Sequence, residues 1–302
     1  MKSDFIWMDG QLVPFEKATV HFDTPTLHYG VGGFEGIRCY HTAKGPAVFR
    51  LREHLERLRA SAHILGLAIP YSVEQLRQAV HETIQANRFQ SCYIRPLFYL
   101  DGPLGLNMDA SQVRVGISTW EWGKYLGEDA LEKGIHVQVS SFTRHHINVM
   151  MTKSKAAGNY VNSMLAKTLA LRSGYDEAIL LDAQGYVAEC TGENLFLVRK
   201  GVVFTPPTAT ILEGITRESI ITLAGDLGIE VREQTLSRDQ LYVADEVFLS
   251  GTAAEVGGVS RIDYRQIGEG KTGPITRKLA EAFTLTIQGD GRRSVEWLDY
   301  AG

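Results

Sequence analysis

Cysteine is scarce in this chain: Cys39, Cys92 and Cys190 are the only ones among 302 residues, and none forms a CxxC pair. A framework of disulfides is therefore not expected, nor is a zinc site built on cysteine pairs. The sparse and odd count fits a reducing compartment, so we expect a cytoplasmic protein.

Long apolar runs and blocks of like charge are also missing. No stretch approaches the roughly 18 apolar residues of a membrane span, and residues 1–5 lack the apolar segment of a secretory signal. A formal net charge of −4 without a basic block argues against nucleic acid or an anionic membrane as the main partner. With 44% hydrophobic and 22% charged residues, the composition is that of an ordinary soluble protein.

Common nucleotide and metal motifs are incomplete. Residues 30–33, GVGG, begin like a dinucleotide fingerprint, but Glu35 stands where the next glycine is required. Residues 270–272, GKT, resemble the end of a P-loop whose first glycine is replaced by Arg265. Residues 145–146 are two adjacent histidines. On a strand their side chains would point to opposite faces, so we expect no metal site.

Helical and strand patterns are interleaved along the chain. Turn signals at Asp9-Gly10, Gln184-Gly185 and Lys200-Gly201 separate short apolar runs and predict hairpins. Residues 51–66 carry apolar side chains at steps of three and four, which predicts a helix. Strands in hairpins rather than regular βαβ units indicate an α+β fold with antiparallel-rich sheets and packed helices.

The length of 302 residues favours two domains, because one core rarely serves so long a chain. Glycines and turn formers at 123–134 predict the connection between them. The prediction is an N-terminal α/β domain at 1–122, an interdomain loop at 123–134, and a C-terminal domain at 135–302.

Lys155 is the candidate nucleophile. The small residues Ala156, Ala157 and Gly158 follow it and leave room for a bulky group beside the amine. A lysine partly shielded from water loses some preference for its charged form, and the neutral amine forms imines with aldehydes. Most lysines are solvated surface charges, so this pattern alone does not establish the role.

Two motifs at this spacing carry a resemblance. KAAGNY at 155–160 and AECTGENLF at 188–196 are similar to the core signature of the fold-type-IV pyridoxal 5′-phosphate (PLP) enzymes, specifically the branched-chain amino-acid aminotransferases. The resemblance covers nearly the whole chain. It implies a two-domain fold-type-IV enzyme with PLP as cofactor. The domain at 1–122 would contribute substrate-pocket strands, and the domain at 135–302 would bind PLP. The implied reaction converts L-leucine, L-isoleucine or L-valine with 2-oxoglutarate into branched 2-oxo acids and L-glutamate.

The resemblance implies the cofactor residues one by one. Lys155 matches the lysine that binds the cofactor and shuttles a proton, and Glu189 matches the carboxylate that keeps the ring nitrogen protonated. The residues that it assigns to cofactor binding are Arg57, Lys155, Tyr160, Glu189, Gly192, Ile215, Thr216 and Thr252. The helix start at 214–216 suits the phosphate, because its N–H groups lie at the positive end of the helix dipole.

The same resemblance implies the substrate residues, which are Tyr29, Phe34, Arg38, Tyr93, Arg95, Leu106, Trp122, Tyr125, Thr252 and Ala253. Arg95 would receive the distal carboxylate of glutamate, and the aromatic residues would line a pocket for branched side chains. In this family Tyr29 and the loop near Leu106 reach the neighbouring subunit, so a homodimer or larger homo-oligomer is implied.

Two alternatives stay open. One is another fold-type-IV enzyme, a D-amino-acid or (R)-amine aminotransferase or an aminodeoxychorismate lyase; the paired Tyr/Arg strands and the GTAA run at 251–254 weigh against it. The other is a non-enzymatic small-molecule binding protein that retains the fold. Departures from the family pattern at Ala157, 190–191 and 256–258 bear on substrate range more than on the reaction.

Overall fold

The computed structural model describes residues 3–123, 127 and 130–301. Over these residues the helices are α1 (Pro25–Tyr29), α2 (Leu51–Ile64), α3 (Val73–Ala86), α4 (Ala130–Lys133), α5 (Tyr160–Arg172), α6 (Ile215–Asp226), α7 (Arg238–Tyr242), α8 (Pro274–Gln288) and α9 (Ser294–Trp297). The strands are β1 (Phe5–Met8), β2 (Gln11–Pro14), β3 (Gly32–Phe34), β4 (Ile37–Thr42), β5 (Gly45–Phe49), β6 (Cys92–Asp101), β7 (Gln112–Trp120), β8 (Ile135–Val139), β9 (Glu177–Leu181), β10 (Val187–Cys190), β11 (Asn194–Arg199), β12 (Val202–Thr205), β13 (Val231–Glu233), β14 (Glu246–Gly251), β15 (Glu255–Ile262), β16 (Arg265–Gln266) and β17 (Leu298–Tyr300).

The chain divides into two compact units. The first contains Met1–Trp122, Lys153–Gly158 and Thr286–Gly302, and the second contains Gly123–Thr152 and Asn159–Leu285. The segment with Lys155 therefore belongs to the first unit. The domain bounds 1–122 and 135–302, as units of folding and function, stay a proposal.

The first unit is built on an antiparallel sheet. Its strand order is β17-β5-β4-β6-β7-β1-β2, and β3 pairs with β6. Helices α2 and α3 share one apolar core with this sheet, because their buried stripes meet the inward residues of its strands. The largest fully buried side chains of this core include Ile37, Leu51, Leu55, Leu58, Leu76, Ile84, Ile94 and Ile117.

Strand register fixes which side chains lie away from that core. Arg38 on β4 lies opposite Tyr93 on β6, and Tyr93 lies opposite Trp120 on β7. Because successive side chains alternate between the faces, Arg38, Tyr93, Arg95 and Trp120 share the face opposite to the buried Ile94. The predicted pairing of tyrosine and arginine on one face is confirmed.

The alternation from Phe34 to Tyr40 predicts one continuous strand, but the structure breaks it at Glu35 and Gly36. The Glu35 side chain is fully buried in an ion pair. A Cβ atom on Gly36 would lie only 1.9 Å from the Tyr93 hydroxyl. The break therefore coincides with a buried ion pair and with a close approach of the Tyr93 hydroxyl to the backbone.

The second unit has a mixed sheet with strand order β10-β9-β8-β15-β14-β11-β12-β13, and β16 pairs with β15. Three of its pairs are parallel, namely β8–β9, β8–β15 and β12–β13, and the others are antiparallel. Helices α5 and α6 follow the sequence motifs at Lys155 and Gly214. The predicted α+β class with antiparallel-rich sheets is confirmed.

Two kinds of feature are absent from the described residues. No helix there has the length and apolar character needed to cross a membrane. Within residues 3–123 and 130–301, no group of three or more His, Cys, Asp or Glu side chains is arranged to hold a metal ion.

Candidate active site

The backbone of Lys155 is held from both sides. Its N–H donates to Ser61 Oγ at 3.0 Å, and its carbonyl accepts from the N–H of Phe34 at 3.1 Å. The next residue, Ala156, forms an isolated antiparallel bridge with Gly33. Lys155 Nζ lies 5.1 Å from the centre of the Phe34 ring. The amine is thus placed against an aromatic face rather than left on a mobile surface chain.

Glu35 is the centre of a buried charged cluster. Arg57 donates through Nε to Oε1 at 2.7 Å and through Nη2 to Oε2 at 2.9 Å, and His54 Nδ1 lies 2.7 Å from Oε2. Burial alone would raise the pKa of Glu35, but the Arg57 guanidinium and then His54 hold it well below its ordinary value. Burial lowers the pKa of His54 against the attraction of Glu35, so a neutral ring donates from Nδ1.

One face of helix α2 carries both of these features. His54, Arg57 and Ser61 are spaced by three and four residues, which places them in a row on a helix. The row joins the Glu35 cluster to the Lys155 backbone. Sequence reasoning found Arg57 but not its partner. The available signal was the alternation in sequence, which puts the acidic Glu35 in register with the apolar Ile37 and Cys39.

The substrate residues predicted on β3, β4 and β6 are brought together. The Arg95 guanidinium carbon lies 4.4 Å from the centre of the Phe34 ring, and Arg95 Nη2 donates to the Tyr93 hydroxyl at 3.3 Å. The Tyr93 ring packs edge-on against Trp122 at 4.5 Å. Arg38 Nη2 donates to the Trp122 carbonyl at 2.9 Å. Two cationic side chains and three rings therefore form one cluster in the first unit.

Five predicted substrate residues are not part of this cluster. Two of them, Thr252 and Ala253, follow β14 in the second unit. Tyr29 and Leu106 lie on the surface of the first unit, where 46% and 88% of each is exposed. Tyr125 lies outside the described residues.

In the second unit, Glu189 is a buried carboxylate surrounded by donors. Its Oε1 lies 2.9 Å from Arg144 Nε, and its Oε2 accepts from Asn194 Nδ2 and from the N–H of Leu212, each at 3.3 Å. The ion pair with Arg144 and the two hydrogen bonds to Oε2 together hold the carboxylate in one orientation. The sequence predicted no role for Arg144, because nothing in its local pattern distinguishes it. No role was predicted for Asn194 either, although it lies within the motif at 188–196.

Arg144 also reaches helix α5. Its Nη1 lies 3.4 Å from Asn162 Oδ1 and 3.5 Å from Ser163 Oγ. Tyr160, the predicted cofactor residue, is the first residue of the same helix. The Glu189 carboxylate and the start of α5 are therefore tied to one guanidinium.

Helix α6 begins beside the same carboxylate. Its N-cap is Gly214, which offers no side-chain cap, and Ile215 and Thr216 form its first turn, with Thr216 buried. A Cβ on Gly214 would lie 1.9 Å from Asn194 Oδ1, so only glycine lets Asn194 approach this closely. N–H groups of a first turn without a side-chain cap, at the positive end of the dipole, suit an anion such as phosphate.

The loop with Gly192 lies beside the loop with Thr252. A Cβ on Gly251 would lie 3.3 Å from the Gly192 carbonyl and 3.2 Å from Glu193 Cγ. The buried Glu193 accepts from the N–H of Gly192 at 3.2 Å. Burial and then the neighbouring Glu177 raise the pKa of Glu193 to about 8, so its carboxyl is mostly neutral at neutral pH.

The fold and these residues define a class of protein. Three features are typical of a group-transfer enzyme with an anionic cofactor on an α+β scaffold. They are a lysine whose backbone is hydrogen-bonded on both sides, a buried carboxylate paired with an arginine, and a helix start without a side-chain cap. The family described as amino-transferase class IV matches residues 32–262. The chain belongs to this family.

Individual relatives are similar over nearly the full length. The branched-chain-amino-acid aminotransferase of Escherichia coli strain K12 is 49% identical over 301 residues, which covers 99% of this chain and 97% of the relative. The crystal structure of the T.th. branched-chain amino acid aminotransferase with pyridoxamine 5′-phosphate aligns with a TM-score of 0.97 at 49% identity, covering all of both chains. Its complex with N-(5′-phosphopyridoxyl)-L-glutamate aligns with a TM-score of 0.96 at 47% identity, again over both full chains.

Proposed function

We propose that this chain is a PLP-dependent aminotransferase that exchanges an amino group between L-leucine, L-isoleucine or L-valine and 2-oxoglutarate. The observation that carries the proposal is the position of Phe34. The centre of its ring lies 5.1 Å from Lys155 Nζ and 4.4 Å from the guanidinium carbon of Arg95. A nucleophilic amine and a cation that can receive a carboxylate therefore flank one apolar surface. The names of the full-length relatives support the same reaction.

The cofactor residues fit PLP by their chemistry. When bound, PLP supplies an aldehyde that takes the amino group and a ring that accepts electrons as the Cα–H bond breaks. Lys155 would bind the aldehyde and carry the proton, and Glu189, oriented by Arg144, would hold a proton on the ring nitrogen. The remaining proposed contacts are Tyr160 and Gly192 near the ring, and Arg57, Ile215, Thr216 and Thr252 at the phosphate.

The substrate residues have to meet two requirements. The same pocket has to bind an apolar side chain from one substrate and an anionic side chain from the other. Phe34 and Trp122 would contact the branched side chain, whereas Arg95, bonded to Tyr93, would receive the distal carboxylate of glutamate. The further proposed substrate contacts are Tyr29, Arg38, Leu106, Tyr125, Thr252 and Ala253. The L-glutamate adduct bound by the T.th. relative supports the use of glutamate.

Two measurements test the proposal. We expect turnover of L-leucine with 2-oxoglutarate and no comparable turnover of D-alanine. Efficient use of D-alanine without L-leucine turnover would instead favour a D-amino-acid aminotransferase. Borohydride reduction of the PLP-saturated protein followed by peptide mapping should place the label on Lys155 and lose it in Lys155→Ala. A label on another lysine would contradict the proposed roles.

The proposal extends to assembly and location. Large apolar side chains are exposed at Tyr29 and Leu106 in the first unit, and at Val161 and Met164 on α5 in the second. Exposed apolar residues in this number favour association, and we propose a homodimer or a larger homo-oligomer. Light scattering coupled to size-exclusion chromatography should give at least twice the chain mass of 33.5 kDa. A cytoplasmic location is proposed from the scarcity of cysteine.

A further inference from the structure

Trp120 is an aromatic residue at the Arg95 cluster to which the proposed function gives no role. The Arg95 guanidinium carbon lies 4.4 Å from the ring centre of Phe34, 5.4 Å from that of Tyr93 and 5.7 Å from that of Trp120. Strand register explains the third ring, because Trp120 lies directly opposite Tyr93 and Arg95 is two residues further along β6. Three rings thus surround one guanidinium.

Aromatic rings, rather than a carboxylate of the described residues, lie beside the charge of Arg95. Among the residues that the structure describes, Arg95 has no ion-pair partner, and its buried Nε has no hydrogen-bond partner. Its hydrogen bond runs from Nη2 to the Tyr93 hydroxyl. A partly buried cation of this kind is costly unless something replaces its hydration. The electron-rich faces of aromatic rings do so without neutralising the charge.

Aromatic rings and carboxylates differ in whether they leave the N–H donors of a guanidinium available to a substrate. A carboxylate partner would compete with an anionic substrate for the guanidinium, whereas the face of a ring leaves the N–H donors in the guanidinium plane available. Trp120 also packs on the remaining aromatic residues, at 5.0 Å from the Tyr93 ring and 5.9 Å from the Trp122 ring. These contacts hold the Trp120 ring in place beside Arg95.

We infer that Trp120 is a positioning residue that holds the Arg95 guanidinium for the distal carboxylate of a dicarboxylic substrate. This inference rests on the proposed function, in which Arg95 receives that carboxylate. Trp120 acts through Arg95, so its loss weakens binding of dicarboxylates and leaves binding of branched monocarboxylates nearly unchanged.

The test uses two unreactive probes of the same holoenzyme: glutarate, which has a distal carboxylate, and 4-methylvalerate, which has a branched apolar end. Titration calorimetry gives the Kd of each for the wild type, Trp120→Leu and Trp120→Phe. Loss of one cation–π contact should weaken glutarate binding by about 5- to 20-fold in Trp120→Leu. We expect less than about a twofold change for 4-methylvalerate, and recovery of most glutarate affinity in Trp120→Phe.

A double-mutant cycle separates positioning from general damage to the fold. In an Arg95→Gln background, Trp120→Leu should bring no further loss of glutarate affinity, because the group through which it acts is gone. Equal loss for both probes, or the same additional loss in the Arg95→Gln background, would overturn the role of Trp120. Because binding is read without turnover, a protein that passes this test but does not transaminate L-leucine would refute the proposed function and not this inference.

Discussion

Glu35 and Arg57 form a two-pronged ion pair in which both carboxylate oxygens accept from the same guanidinium, at 2.7 and 2.9 Å. The carboxylate is fully buried and the guanidinium is 14% exposed. A pair of this kind adds little net stability over an apolar replacement, but removal of one partner leaves a buried charge without its counter-ion. The orientation of Arg57 therefore depends on Glu35 remaining ionised.

The first prediction concerns Glu35→Gln. We expect the free energy of unfolding at neutral pH to fall by about 3 kcal/mol, because Arg57 loses its counter-charge. The low pKa of Glu35 stabilises the fold at pH values above the ordinary value of 4.5, and this stabilisation is lost as the pH falls below it. The deficit of the variant should thus shrink in urea unfolding curves recorded below about pH 4.5.

Glu56→Gln is the matched control for this prediction, because Glu56 lies on α2 with an exposed side chain. Its effect should stay within about 0.5 kcal/mol at both pH values. Equal stabilities of Glu35→Gln and the wild type at neutral pH would contradict the assigned role of the ion pair.

The second prediction concerns Ser61, whose hydroxyl accepts from the backbone of Lys155. Ser61→Ala removes that acceptor and should lower the free energy of unfolding by about 1–3 kcal/mol. It should also weaken the affinity for PLP, measured by absorbance during dialysis, because the lysine is no longer clamped on both sides. The control is Ser260→Ala, a buried serine that donates to the Ile135 carbonyl in the second unit. A similar loss of PLP affinity in both variants would contradict a specific role for Ser61.

Local features of the fold could be predicted because they depend on neighbours in sequence. The Asp9-Gly10 turn joins β1 and β2 with positive φ at both residues. Ser72 and Gln75 form the reciprocal capping box at the start of α3. The apolar stripe of residues 51–66 gives α2, which ends at Ile64. In each case a few adjacent side chains decide the conformation.

The candidate site was predictable only in part, because its residues come from distant segments. A family resemblance predicts Lys155, Glu189 and Arg95 as site residues by position. It did not identify the side chains that hold them. Ser61 is 94 residues from Lys155 along the chain, and Arg144 precedes β9 whereas Glu189 lies on β10. Such contacts depend on strand register and helix packing, which no local pattern encodes.

The third prediction concerns Gly36, where a Cβ would lie 1.9 Å from the Tyr93 hydroxyl and 2.9 Å from Tyr93 Cζ. Gly36→Ala should displace the Tyr93 ring and remove its hydrogen bond with Arg95, at a cost of about 1–3 kcal/mol in unfolding free energy. Tyr93→Phe in the same chain should recover part of that loss, because the hydroxyl causes the closest overlap. Urea unfolding of the two single variants and the double variant measures this coupling. Strict additivity of the two changes would contradict the overlap.

The fourth prediction concerns Glu193, whose pKa of about 8 lies above the ordinary value of 4.5. Burial and the nearby Glu177 and Glu189 favour its neutral form, while Lys167 opposes them. Between these two pH values the folded protein holds a proton that the unfolded chain releases. Its contribution to stability is therefore fully present below about pH 4.5 and is lost as the pH rises towards 8.

Glu193→Gln keeps the shape of the side chain and is neutral at every pH, so it avoids this loss. The variant should gain on the order of 1–3 kcal/mol relative to the wild type between about pH 5 and pH 8.5, measured by urea unfolding. The exposed Glu56→Gln should show no such trend over the same range. A constant difference between Glu193→Gln and the wild type would mean that Glu193 is already ionised in the fold at neutral pH. In that case the Gly192 loop would lie beside a negative charge, which would disfavour an anionic cofactor there.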